Sequence, residues 1–198
     1  MCEDAQLAKD HLHQCLRWAR QEVPSKLDGL DEYDVRRPMT PSGTNLLGIV
    51  KHLVGNEHVY LSESFGITAP DVLPWVEDGT IWQGADMWAT AEESREHILG
   101  LYDRAAAHGD ATVAALDLDA PAAVPHWPEE RRATTLGFLL VRMVEETGHH
   151  AGHAEICREL IDGRGGSDHD MLDDAGWSDY VAAIQAAADT FRRQPEGG

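Results

Sequence analysis

The stretch TLGFLLVRMVEETGHHAGHAEICREL, residues 135–160, is long, free of proline and apolar at helical spacing. Alternating steps of four and three residues place seven of its side chains in one stripe of a packed helix: Leu139, Met143, Glu146, His150, His153, Cys157 and Leu160. The stripe is apolar at both ends and carries a carboxylate and two imidazoles in its middle. Because such groups are costly to bury without partners, the pattern predicts that a divalent metal ion lies between them.

Glu146 and His150 are the predicted ligand pair, because side chains four residues apart can reach one ion from adjacent turns of a helix. His52, at the margin of the apolar face of an earlier predicted helix, is the candidate third ligand. Two nitrogens and one oxygen suit zinc, nickel or ferrous iron, with zinc as the first choice. Three protein ligands would leave coordination positions open, which is the mark of a catalytic metal site.

Other residues of the same helix could form the ligand pair. His149 and His153 are also four residues apart, as are Glu145 and His149, although His149 falls off the centre of the stripe. With Glu146 and His150 as ligands, His153 would either support the ligands from outside the coordination sphere or contact the substrate. We assign it as the candidate catalytic residue. The remaining histidines have no comparable partners and are predicted to lie on the surface or in loops: His11, His13, His58, His97, His108, His126 and His169.

The composition limits the classes of function. A formal net charge of −19 argues against nucleic acid and anionic membranes as partners, since both need a basic surface. The three cysteines have no CxxC spacing, which predicts no disulfide framework and a reducing compartment. No apolar signal core and no apolar run of about 18 residues are present. We therefore expect a cytoplasmic protein that acts on a small molecule.

The chain as a whole predicts an all-α fold. Apolar spacing and start or stop signals predict helices over residues 5–23, 44–65, 90–108 and 135–160, with a last short helix over 180–192. Sustained alternation typical of strands is lacking. Four helices with two long irregular connections predict a four-helix bundle, a fold that builds metal sites from side chains facing its core.

Two other parts of the chain carry predictions. Residues 67–88 contain three tryptophans with prolines and glycines, which indicates a segment folded over a site or over the core. The predicted domains are a metal-binding bundle over residues 1–163 and an acidic C-terminal extension over residues 164–198, whose short helix packs on the bundle.

A resemblance adds to this reading. The blocks SGTNLLGIVKHLVGNEHVYLSESFG, residues 42–66, and VRMVEETGHHAGHAEICRELIDG, residues 141–163, together resemble the DinB-like (DinB/YfiT) metalloprotein superfamily, specifically its DUF664 branch. The resemblance covers about residues 8–163. It implies a bundle in up-down-down-up order, often dimeric, with a divalent metal on His52, Glu146 and His150. Many relatives have histidine at position 146, and the glutamate form is similar to that of mycothiol-dependent maleylpyruvate isomerase.

The resemblance also implies a thiol-dependent reaction. The predicted function is a metal-dependent S-transferase or isomerase, in which a low-molecular-weight thiol of the mycothiol type binds the metal and attacks a small electrophile under the 67–88 segment. His153 would hold or move a proton. Two alternatives stay open: a metal-dependent hydrolase of a small ester or amide, and a non-catalytic metal-binding stress protein. A homodimer is a further expectation from the resemblance.

Overall fold

The regular secondary structure of the described residues is helical apart from one small hairpin. The computed structural model describes residues 3–163, 166 and 169–192. Its helices and strands, numbered here in chain order, are α1 (Glu3–Ser25), α2 (Glu32–Arg36), α3 (Leu46–Leu61), α4 (Pro74–Glu77), α5 (Arg95–Ala115), β1 (Pro121–Ala123), α6 (Glu129–Arg132), β2 (Ala133–Thr135), α7 (Leu136–Asp162) and α8 (Asp174–Asp189). The chain forms two compact units, Met1–Gly163 and Arg164–Gly198.

The long helices α1, α3, α5 and α7 form the predicted four-helix bundle. Helices α3 and α5 are parallel, because Lys51 in the first half of α3 reaches Glu93 just ahead of α5, whereas Leu61 at the end of α3 lies beside Gly109 of α5. Leu61 is fully buried at this contact. The two middle helices of the bundle therefore run in the same direction.

Helices α1 and α7 are also parallel. Leu16 of α1 shares a buried cluster with Leu136 at the start of α7, whereas Lys26, just after the end of α1, reaches Glu155 near the end of α7. Helices α3 and α7 are antiparallel, as the contacts described below show. These pairings give the predicted up-down-down-up order.

Several predicted boundaries are wrong. Thr90 does donate its backbone N–H to Glu93, as in a capping box, but Ser94 caps α5 by accepting from the N–H of His97. Helix α5 then continues past the predicted end at residue 108 to Ala115. Helix α8 begins six residues earlier than predicted and ends at Asp189.

The hairpin of β1 and β2 was not predicted. The two strands pair antiparallel from Pro121 with Thr135 to Ala123 with Ala133. Each strand has three residues, which is too short to leave an alternating pattern in the sequence. The hairpin leads directly into α7, and Thr135 caps that helix by accepting from the N–H of Phe138.

The buried face of α7 lies slightly to one side of the predicted stripe. His153 and Leu160, which the stripe predicts to face inward, are exposed. The buried positions are Leu136, Leu139, Leu140, Met143, Thr147, Ala154 and Cys157. Because α7 packs against both α1 and α3, the centre of its buried arc runs through Met143 and Thr147. Glu146 and His150 therefore lie half-buried at the edge of this arc, not at its centre.

The 67–88 segment is fastened to the first half of α3. Asn45, the N-cap of α3, donates its side-chain amide to the carbonyl oxygen of Met87 at 3.0 Å. Lys51 donates to the carbonyl oxygen of Trp88 at 3.0 Å. Gly48 permits this approach, because a Cβ there would overlap the Met87 carbonyl group and lie 2.5 Å from its carbon. The segment itself contains α4 and two short 3₁₀ turns.

The C-terminal unit contains α8, which Asp173 caps by accepting from the N–H of Gly176. The rings of Trp177 and Tyr180 lie 5.7 Å apart on this helix. Packing of this helix on the bundle stays a prediction. Within the described residues, no helix combines the length and the apolar character needed to span a membrane.

Candidate metal centre

Three side chains from two antiparallel helices converge on one point. His52 lies on α3, and Glu146 and His150 lie on successive turns of α7. Their donor atoms lie within 4.8 Å of one another, and they are the only such group of three among the residues that the structure describes. The structure thus brings together the three residues that the sequence analysis assigned as metal ligands.

The separations inside this group suit a cation better than direct hydrogen bonds. Nε2 of His52 is 3.5 Å from Oε1 of Glu146, and Nε2 of His150 is 3.4 Å from the same oxygen. Ordinary N–H···O distances are about 2.7–3.2 Å. A tetrahedron with metal–ligand bonds of about 2.0 Å has edges of about 3.3 Å. Two of the three separations are close to this value, and all three donor atoms lie within 4.8 Å of one another, so a small adjustment of the side chains would let them hold a divalent metal ion.

The 67–88 segment supplies a partner for the first of these ligands. Nδ1 of His52 is 2.7 Å from Oδ2 of Asp86, which is buried. A carboxylate on one ring nitrogen fixes the imidazole ring so that the other nitrogen can face a metal. Burial lowers the pKa of His52, but the carboxylates of Asp86 and Glu146 outweigh it and raise the pKa to about 9. Binding of a cation at neutral pH would therefore displace a proton from His52.

The carboxylate of Glu146 is held from two sides. The neighbouring imidazoles of His150 and His52, together with the charge of Arg142, keep the pKa of Glu146 well below its usual range. Nη2 of Arg142 is 2.8 Å from Oε2 of Glu146. Glu146 therefore remains anionic, with Oε1 facing the imidazoles and Oε2 held by Arg142.

Asn56 lies one turn after His52 on α3 and contacts two of the three ligands. Its Nδ2 is 3.1 Å from Nε2 of His52 and 3.4 Å from Oε1 of Glu146. Asn56 also lines the cavity described below. Its amide group is therefore placed between the ligands and the cavity.

His153 and His149 lie outside the ligand group. The ring of His153 packs edge-on against the ring of His150 with centroids 5.6 Å apart, and its side chain is exposed. His149 is also exposed. Neither alternative pair, His149 with His153 or Glu145 with His149, forms a three-membered donor group within the described residues. The catalytic role of His153 stays a prediction.

A cavity of about 650 Å³ lies between α3 and the 67–88 segment. His52, Asn56 and Asp86 form part of its wall, so the candidate ligand group reaches the cavity through His52. Most of the rest is apolar, and Val59, Leu73, Val76, Ile81 and Trp82 are examples. The 67–88 segment thus covers a chamber beside the ligands, as its composition indicated.

Two features of this site were missed at the sequence level. Asp86 comes from an irregular segment that contains three other acidic residues, Asp71, Glu77 and Asp78, and nothing in its spacing singles it out. Gly48 did carry a signal, because a glycine inside an apolar helix often marks a close backbone approach. That close approach places Met87, and with it Asp86, against α3.

Fold and site together define a four-helix-bundle protein with a candidate metal centre of two histidines and one glutamate beside an apolar cavity. Residues 11–163, well over half of the chain, match the mycothiol-S-transferase family. The chain belongs to this family, which confirms the resemblance to the DinB-like superfamily. No curated protein matches the chain.

Proposed function

We propose that the protein is a metal-dependent transferase that joins a low-molecular-weight thiol of the mycothiol type to a small electrophile. The observation that carries this proposal is the donor group of His52, Glu146 and His150, of which His52 lines the wall of an apolar cavity. Membership of the mycothiol-S-transferase family supports the choice of thiol. Zinc is our first choice of metal, and nickel or ferrous iron suits the same donors.

The chemistry needs an ionised thiol and a dry chamber. A divalent cation at this site would lower the pKa of the thiol and favour the thiolate. The thiol sulfur attacks a carbon atom of the electrophile, a C–S bond forms, and the bond to the leaving group breaks with its electron pair. His153, exposed beside His150, accepts the thiol proton and passes it to solvent. The apolar walls of the cavity hold the electrophile and exclude water.

The test compares two neighbouring histidines of α7. Zinc-loaded protein is mixed with mycothiol and monochlorobimane, and the fluorescence of the conjugate is followed over time. We expect acceleration over metal-free protein, and a loss of at least about 100-fold in His150→Ala together with loss of bound zinc. The matched control is His149→Ala, which removes an exposed imidazole one residue away and should keep both zinc and activity.

Different results would overturn different parts of the proposal. If His149→Ala loses zinc and His150→Ala keeps it, the ligand register is wrong. If zinc binds as expected but mycothiol gives no conjugate, the thiol chemistry is wrong. Turnover of a small ester without thiol would then identify the hydrolase alternative. A homodimer remains a prediction that sedimentation equilibrium can test.

A further inference from the structure

The cavity beside the metal centre is long and has different chemistry at its two ends. Its lining residues on α3 begin at His52, and Glu63 follows just after the helix. At a rise of 1.5 Å per residue, this wall is about 16 Å long. One end carries His52 and Asp86, and the other carries Glu63 and His126. A substrate whose reactive atom is beside the metal ligands would extend its remainder towards Glu63.

The side chains that line the cavity carry more negative than positive charge. Among the described residues that line the cavity there is no lysine or arginine, whereas four carboxylates are present. Two of these already have partners, since Asp86 bonds to His52 and Asp71 is held by Arg104. The other two, Glu63 and Glu77, are exposed at the cavity wall. His52 is protonated in the metal-free protein, but it lies at the other end of the cavity and already pairs with Asp86. A negatively charged group near Glu63 or Glu77 would therefore meet repulsion, with no lysine or arginine among the lining residues to offset it.

The two remaining imidazoles of the wall do not change this balance. Burial lowers the pKa of His58, and partial burial likewise lowers the pKa of His126. Both rings are therefore mostly uncharged at neutral pH. Between the carboxylates the walls are aliphatic or aromatic, so the favourable contacts available to a ligand are mainly apolar.

We propose that the cavity selects elongated, apolar electrophiles that are uncharged or positively charged, and disfavours those that carry a carboxylate or phosphate on the part remote from the reacting carbon. This proposal rests on the transferase function proposed above. The selection comes from Glu63 at the far end of the apolar chamber and from Glu77, which also lines its wall.

The binding test uses three unreactive probes of one shape: 3-(2-naphthyl)propan-1-ol, 3-(2-naphthyl)propylamine and 3-(2-naphthyl)propanoate. Isothermal titration calorimetry with metal-free protein at low salt gives their dissociation constants, and omission of metal prevents the carboxylate from binding it directly. We expect the propanoate to bind at least about tenfold more weakly than the alcohol, a difference of about 1.4 kcal/mol. The ammonium probe should bind at least as tightly as the alcohol. High salt should narrow the differences.

Matched variants identify the source of the selection. The double variant Glu63→Gln, Glu77→Gln keeps the shape of both side chains and should reduce the discrimination at least about threefold. The control Glu159→Gln removes an exposed carboxylate of α7 that is not among the lining residues, and should leave the discrimination unchanged. Equal binding of alcohol and propanoate, or the same discrimination in the double variant, would overturn the proposal.

A turnover test separates this proposal from the function on which it rests. With zinc and mycothiol, N-(6-hydroxyhexyl)iodoacetamide is compared with 6-(iodoacetamido)hexanoate, whose carboxylate lies at the far end of the chain from the reacting carbon. In both, sulfur bonds to the methylene carbon and iodide leaves. After correction for the uncatalysed rates, kcat/KM should favour the neutral compound at least about tenfold. If neither compound is turned over but the binding test shows discrimination by charge, the transferase function is refuted and the selectivity of the cavity stands. If both compounds are turned over with equal kcat/KM, the selectivity is refuted.

Discussion

Gly48 is the position at which a single added methyl group should disturb the candidate metal centre without contacting any of its three candidate ligands. A Cβ at this residue would overlap the Met87 carbonyl and lie 2.5 Å from its carbon. Carbon atoms in contact normally lie about 3.5–4.0 Å apart, so Met87 must retreat by about 1 Å or more in Gly48→Ala. Asp86 precedes Met87 in the chain, and its 2.7 Å bond to His52 would lengthen beyond hydrogen-bond distance.

The expected loss follows from the role of Asp86 in holding the ring of His52. Removing the partner of a ligating histidine typically lowers metal affinity about 10–100-fold, or about 1.4–2.7 kcal/mol. Alanine normally stabilises a helix interior by up to about 1 kcal/mol relative to glycine. Here the overlap should reverse that sign, with a net destabilisation of about 1–3 kcal/mol.

Zinc affinity is measured by competition with a chromophoric chelator, and stability by urea unfolding of the metal-free protein. The matched control is Gly148→Ala in α7, where an added Cβ meets nothing within 4 Å. This control should keep its zinc affinity and gain stability. If Gly48→Ala binds zinc as tightly as the unmodified chain, Asp86 does not position His52, and the reasoning about this site fails.

Three other predictions follow from the same contacts. Asp86→Asn should lower zinc affinity about 10–100-fold in the chelator assay, and it should also lower the urea midpoint of the metal-free protein at neutral pH, because protonated His52 loses its partner; unchanged affinity would contradict the role of this carboxylate. Because the metal-free pKa of His52 is raised to about 9, apparent zinc affinity should rise about tenfold per pH unit from pH 7 towards pH 9, and a flat profile would show that no proton is displaced. Gly109→Ala should destabilise the fold by about 1–3 kcal/mol, because its Cβ would lie 3.0 Å from the buried ion pair of Arg20 and Glu57, whereas Gly152→Ala, which meets nothing within 4 Å, should not.

The fold could be predicted from the sequence because the four long helices have apolar faces that they can bury only against one another. Their ends were less predictable, since neighbouring caps compete. Thr90 and Glu93 form the bond of a capping box, yet Ser94 also satisfies the first turn of α5 and sets its start. Such choices differ by only a fraction of a kcal/mol to about 1 kcal/mol, and the sequence alone does not rank them.

The candidate ligands and their partner Asp86 differ in how well the sequence alone predicts them. Glu146 and His150 share a helix, so their spacing alone places them on adjacent turns. His52 lies on another helix, where its position at the margin of the apolar face made it only a candidate, and the resemblance to a known family supported the assignment. Asp86 depends on the path of an irregular segment, which is fixed by backbone contacts at Gly48 and Asn45. Local periodicity carries no information about such contacts.

The placement of these contacts has a mechanical consequence. Within the first two turns of α3, Asn45, Gly48 and Lys51 fasten the 67–88 segment, and His52 follows immediately as a candidate ligand. The same segment returns Asp86 to His52 and forms most of the cavity wall. Any movement that opens the cavity by lifting this segment at Met87 must therefore also loosen the ring of His52. Access of substrate to the cavity and affinity of the site for metal are therefore coupled through one short stretch of α3. A variant that loosens the 67–88 segment should exchange both substrate and metal ion more rapidly.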